Sequence, residues 1–329
     1  MTLGVGLTLA SCGSDDDNSA ADCGSSQAVA QALTDNEADT IATNTSQAVA
    51  RVAPASTTQA RTRTAPAPGD TITLGIIPSW SDGLSMAYLW QNLLEQDGYK
   101  VEIKEIADAA PLYTGVAQGD VDIYPSAWPE VTHASYMEQY GDQLEDLGAY
   151  YDAAKLTIAV PEYVDIDSIE DLVGCADRFD GQIIGIEPGA GLTEVTEQSV
   201  IPEYGLEDYD LKTSSTNGML TELQTAIDNK EDIVVTLWRP FWANSKFPVK
   251  DLEDPKGALG EPEGLHFIAT KGFSDEYPDI AQKMGNAKLD DEQYGSLEDL
   301  VVNEYGEGKE AEAVAAWLEA NPDWVDTLG

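Results

Sequence analysis

The sequence predicts an α/β protein of two lobes, each a mostly parallel sheet flanked by helices, with a cleft between them. Three observations carry this reading. Apolar runs of strand length alternate with stretches of helical spacing from residue 71 onward. The alternation restarts in the same style after residue 160. Ahead of both lies a segment of Ala, Ser, Thr, Gln and Pro that cannot bury enough apolar surface to offset its ordering entropy. At 329 residues there is room for two core-forming units.

In order, ITLGIIP (72–78) reads as a buried strand. Residues 81–97 carry helical spacing through Leu84, Tyr88, Leu89, Asn92 and Leu93, and Gly98 stops them. A strand over 101–106, a short helix over 110–118 and a strand over 121–124 follow, the last expected to break at Pro125. His133, Met137 and Tyr140 open the next helix, and 156–160 is a fourth strand. The second unit begins with SIEDL (168–172), a capped helical turn. It continues as strand 182–187, helix 192–204, strand 211–215, helix 219–229 and strand 233–237. A strand over 266–270 returns toward the first unit, and helices over 275–284, 296–305 and 309–321 end the chain. The expected division is a signal segment 1–12, a tether 13–70, lobe one at 71–152 and 273–329, and lobe two at 153–272.

Asp and Glu number 60 against 17 Lys and Arg, a net charge of −43. Phosphate backbones are repelled by such a surface, so nucleic acid is excluded as a partner. Charge of this size suits molar salt, where the Debye length is about 3 Å. A halophilic source is the expectation, with an ordinary acidic secreted protein as the alternative. The three cysteines, Cys12, Cys23 and Cys175, and the two histidines form no metal spacing. No dinucleotide fingerprint is present, so neither metal nor cofactor is expected.

The opening apolar run ends Leu9-Ala10-Ser11-Cys12, similar to the bacterial lipobox, in which the cysteine is lipidated. A basic stretch before it is absent, as expected if the true start lies a few codons earlier. With Cys12 acylated, Cys23 and Cys175 are the pair left for a disulfide in an oxidising envelope compartment.

Three expected strand exits carry a tryptophan: Ile77-Pro78-Ser79-Trp80, Ser126-Ala127-Trp128-Pro129 and Thr236-Leu237-Trp238-Arg239-Pro240. Each alone is as readily core as site, but three indoles from both units could form a cage for a cation, each face contributing about 0.5–2 kcal/mol. His133, five residues beyond Trp128, lies where a strand hands over to a helix, a usual ligand position in α/β sheets. GIEPGAGLT (185–193) turns from a strand into a helix at Gly191 and Leu192. Its free amides suit a carboxylate or phosphate, or mark a plain helix start.

The stretches IIGIEPGAG, TELQTAI, IVVTLWRPFW, DLEDPKG, GDVDIYPSAWPEVTH and LEDLGAYYDAAKLTIAVPEYV, in the whole globular part, together closely resemble the glycine betaine (OpuAC-type) substrate-binding proteins of ABC transporters. The resemblance implies a type II periplasmic-binding-protein fold that closes on a quaternary ammonium zwitterion and serves osmoprotection. It implies Trp80, Trp128 and Trp238 as the ammonium cage, and His133 with the amides of Gly191 and Leu192 as the carboxylate contacts. An ABC permease partner, an N-terminal lipid anchor, an extracytoplasmic location and a monomeric state go with it. Phe241 stands in WRPFW where a His is common in relatives, and Arg239 either touches a carboxylate or, as an acidic chain favours, pairs with surface acids. The rivals are a receptor for choline or another betaine, and an enzyme acting on an amine or carboxylate with Glu187 or Asp82 as acid or base.

Overall fold

The structure, a computed structural model, describes residues 70–329. The expected signal segment and all but the last residue of the tether, with Cys12 and Cys23, lie outside the described residues. Cys175 is buried and disulfide-bonded.

The first strand, β1 (Thr71–Ile76), leads into α1 (Ser81–Gln96), then β2 (Lys100–Glu105), α2 (Ala109–Gln118) and β3 (Ile123–Ala127). Strand β1 lies between β2 and β3 and runs parallel to both. Its partner β2, KVEIKE, forms the outer edge, where alternate lysines and glutamates stay in water. Met86, Leu89, Trp90 and Leu93 line the buried face of α1 at helical spacing, and Gly98 follows it at φ +92°. Strand β3 does not break at Pro125. It runs on to Ala127 with all five residues buried, and its register against a later strand shifts between Tyr124 and Ala127. Such an irregularity absorbs the amide hydrogen that proline lacks.

After α3 (Ala134–Tyr140) comes β4 (Leu144–Pro161), of 18 residues, where the sequence predicted only 156–160. A capped turn at Ile169–Leu172 precedes β5 (Gln182–Ile184). Next, α4 (Gly191–Val195) runs through a π-helical turn into α5 (Ile201–Tyr204). Then follow β6 (Asp210–Lys212), α6 (Thr216–Asn229), β7 (Val235–Arg239), α7 (Ala243–Lys246), β8 (Val249–Asp251) and β9 (Glu263–Thr270). Trp238 therefore lies inside β7 rather than beyond its end. The chain closes with α8 (Phe273–Glu276), α9 (Pro278–Asn286), α10 (Asp291–Asp299), α11 (Glu310–Ala320) and α12 (Pro322–Asp326).

The strand order is β2-β1-β3-β9-β4-β7-β5-β6, with β8 beside β4. Each lobe has a parallel centre, β1 with β2 and β3 in one, β5 with β6 and β7 in the other. Antiparallel β4 and β9 join them. Strand β4 pairs with β9 from Leu144 to Ala154, then with β7 from Lys155 to Ala159. Three register shifts and Gly148 at φ +113° interrupt its first part, which erases the two-residue alternation that marks a strand in sequence. The expected boundary at 272 puts β9 in lobe two, whereas its hydrogen bonds go to β3 and the first part of β4. Helix α11 packs on α1, bringing the end of the chain back to the first lobe.

Candidate functional site

A small cavity lies between the lobes, a usual position for a small-molecule site. Trp80, Trp128 and His133 line it from the first lobe, and Gly191, Leu192 and Trp238 from the second. All six residues singled out in the sequence thus meet in one place. Asp82, Thr132, Leu156, Ile186 and Ala190 complete the wall.

The short connection from β1 to α1 carries Trp80, whose amide closes a turn onto the Ile77 carbonyl at 2.9 Å. The Trp80 indole Nε1 donates to Glu187 Oε2 at 3.1 Å, across the lobes. Its ring lies parallel to the His133 imidazole, centroids 6.1 Å apart. Trp128 donates through Nε1 to Asp82 Oδ2 at 3.1 Å, and Ser126 Oγ donates to the same oxygen at 2.6 Å. Burial still pushes the Asp82 carboxyl above its ordinary pKa, because desolvation outweighs these bonds. Trp238 pairs across the sheet with Leu156 and stacks on Phe241 at 4.0 Å. Bonds to carboxylates fix the Trp80 and Trp128 rings at their polar edges and enrich their π systems, which favours a cation.

His133 is 1% exposed. Its Nδ1 accepts the backbone N–H of Trp128 at 3.1 Å and lies 3.0 Å from the Tyr113 hydroxyl. A peptide N–H can only donate, so the neutral ring carries its proton on Nε2. Burial lowers the His133 pKa to about 3, so the ring is an uncharged donor near neutrality. Glu263, at the start of β9, holds the turn that presents His133 and Trp128. It accepts the amides of Glu130, Val131 and Thr132 at 3.1, 2.9 and 2.9 Å, together with the Thr132 hydroxyl.

Opposite this turn, Gly191 and Leu192 begin α4, where backbone amides have no partner within the helix. Gly191 sits so close to the first lobe that an added Cβ would fall 1.7 Å from the Thr132 carbonyl oxygen. Tyr136 also bonds across, its hydroxyl donating to the Gly189 carbonyl at 2.8 Å. Arg239 faces away and pairs with Asp251, Nε to Oδ2 at 2.6 Å and Nη2 to Oδ1 at 3.0 Å, the surface-acid alternative. Among the described residues no cluster of three or more His, Cys, Asp or Glu could hold a metal.

Sequence reasoning did not find Tyr113, Thr132 or Glu263, and it named Asp82 and Glu187 only as enzyme groups. With 60 acids in the chain, a functional carboxylate has no contrast against the rest. Glu298 is another such group: it is 3% exposed, and the Ser81 hydroxyl and the Trp242 amide donate to it. Desolvation, with the nearby Asp82 charge, pushes its pKa up to about 8. Between about pH 4.5 and 8 the unfolded chain releases this proton while the folded chain keeps it, so stability falls as pH rises through that window. Glu298→Gln is expected to remove on the order of 3–5 kcal/mol of that loss. Denaturant unfolding of both proteins at pH 5 and pH 8 checks this, and parallel pH trends would contradict it.

Two α/β lobes around a small cavity lined by three indoles, a neutral imidazole and a helix start define a solute-binding protein of the type II periplasmic kind. The chain belongs to the OpuAC family, the substrate binding domain of ABC-type glycine betaine transport systems, whose model matches residues 70–320. It is 36% identical over 169 residues to the glycine betaine/carnitine transport binding protein GbuC of Listeria monocytogenes serotype 1/2a, covering 49% of this chain and 53% of that protein. The match thus spans about half the length of that relative. Among solved structures, the glycine/betaine/L-proline-binding protein ProX of Borrelia burgdorferi is 31% identical with a TM-score of 0.74, over 79% of this chain and 96% of that one. Lactococcal OpuAC, closed on glycine betaine, is 29% identical with a TM-score of 0.72, over 79% and 99%. These relatives are transport substrate-binding proteins.

Proposed function

We propose that this chain captures glycine betaine, or a close quaternary ammonium or sulfonium analogue, outside the cytoplasm and delivers it to the permease of an ABC importer. The observation that carries the reading is the joint presence in one cavity of three indoles, a neutral imidazole and a helix start. A quaternary ammonium has no N–H to donate, so apolar and π surface is what can hold it. The carboxylate of so short a molecule then falls to His133 Nε2–H and the amides of Gly191 and Leu192. The glycine betaine bound to lactococcal OpuAC and the description of GbuC support the same ligand.

The enzyme reading needs a free acid or base. Glu187 and Asp82 both accept indole and hydroxyl hydrogens, so we assign neither a catalytic role. A lipid anchor on Cys12, a monomeric state and a halophilic source belong to the same proposal, the last supported by the charge of −43. No helix of the described residues is long and apolar enough to cross a membrane. We take the lobes to exchange where β4 changes partner, between Ala154 and Lys155, and again ahead of β9.

The carboxylate half of the reading is tested by His133→Ala. Loss of a hydrogen bond to a charged group is worth about 1.5–3 kcal/mol, so glycine betaine is expected to lose roughly 10- to 100-fold more affinity than choline, whose own smaller loss reflects the Trp80 stack and the Trp128 amide that His133 also holds. Because His133 titrates only near pH 3, the ratio of wild-type to variant affinity is expected to stay constant between pH 5 and 8. Equal losses for both ligands, or a ratio that changes near pH 6.5, would contradict the assignment.

A further inference from the structure

The three cage indoles are not held alike. Trp128 is tied to Asp82 of its own lobe, and Trp238 stacks on Phe241 of its own lobe. Trp80 alone has its N–H bonded to the opposite lobe, through Glu187. Glu187 is 8% exposed and is fixed from its own side by Thr216, whose amide donates to Oε1 at 2.9 Å and whose hydroxyl donates to Oε2 at 2.8 Å. From the first lobe Ser79 Oγ donates to Oε1 at 2.9 Å and Trp80 Nε1 to Oε2 at 3.1 Å. Thr193 Oγ1 bonds the Glu187 carbonyl at 2.9 Å, tying this residue to the same helix start that carries Gly191 and Leu192.

Building on the proposed betaine site, we propose that Glu187 is the positioning residue that completes the cation box: it orients the Trp80 ring across the cleft, so the third aromatic wall forms only when the lobes close. Closure and cage assembly are then one event, and a ligand without a carboxylate still depends on Glu187. In the proposed site His133 serves the carboxylate end of the ligand, although its ring also stacks on Trp80.

The chemistry of the carboxylate makes the test sharp. Each oxygen takes one group that can only donate, the Thr216 amide on Oε1 and the Trp80 indole on Oε2. A glutamine can satisfy one of them and must turn its NH2 toward the other. The Thr216 amide opens α6 inside the same lobe and keeps the acceptor, so the Trp80 contact is lost. Glu187→Gln is therefore expected to weaken glycine betaine and tetramethylammonium by a similar factor of about ten, with the ligand-free melting temperature held within a few degrees. Combined with Trp80→Phe, which keeps a ring but removes the N–H, Glu187→Gln is expected to have less than about a twofold further effect.

Calorimetry on the full chain in molar salt reads all four proteins of this cycle. Wild-type affinity in Glu187→Gln, additive losses in the double variant, or a loss for glycine betaine only would each overturn the inference while leaving the betaine reading in place. Should Glu187→Gln not fold, Thr216→Val loosens the same carboxylate and is expected to weaken both ligands about threefold or more, unchanged affinity overturning the proposal. A wild-type chain that binds neither ligand would defeat the betaine reading itself, and this inference with it.

Discussion

Gly191→Ala is expected to weaken glycine betaine at least 100-fold while leaving the ligand-free protein folded. The added Cβ would lie 1.7 Å from the Thr132 carbonyl oxygen and 2.6 Å from its carbon, so a backbone group and not a flexible tip would have to yield. Thr132 cannot yield easily, since Glu263 holds its amide and hydroxyl as well as the amides before it. Relief comes instead from the lobes standing apart, which separates the indoles of one from the amides of the other. At this position, the start of a helix, alanine is otherwise at least as favourable as glycine. Melting without ligand should accordingly stay within a few degrees of wild type. The two measurements together isolate closure from folding, and an alanine variant binding within threefold of wild type would mean that the lobes need not meet here.

Trp128→Ala carries the second large effect, expected at about 100-fold or more. It removes an indole that is 5% exposed, together with the wall that keeps water off the cation. A loss of 100-fold is about 2.7 kcal/mol out of the roughly 8 kcal/mol of a micromolar site. That lies within what the lost π face and the truncated apolar wall can jointly supply. Trp128→Phe keeps a π face and should fall between. The ranking Trp, then Phe, then Leu tests whether charge is read by the ring. Equal affinity for Phe and Leu at this position would say that the wall supplies only apolar volume.

Much of this site was legible because its residues are rare or local. Seven tryptophans, three of them in similar Pro- and small-residue-flanked stretches that the sequence reads as strand exits, stand out in any chain of this length. His133 and the glycine turn announced themselves by position, each where a helix begins. The supports were not legible. Glu187 and Glu263 reach their partners across more than 100 residues of sequence, and no local periodicity encodes such a contact. Most of strand β4 was missed for a different reason, its first part being bent by register shifts against β9. Pro125 misled because the rule that proline ends a strand assumes a regular ladder, and β3 is irregular there.

The measurement closest to the central claim is a calorimetric titration of glycine betaine into the intact chain in molar salt. The expected result is saturable one-to-one binding that choline, lacking the carboxylate, matches only weakly. A well-folded protein that takes up no glycine betaine at millimolar concentration would contradict the claim that this cavity is built for a quaternary ammonium zwitterion.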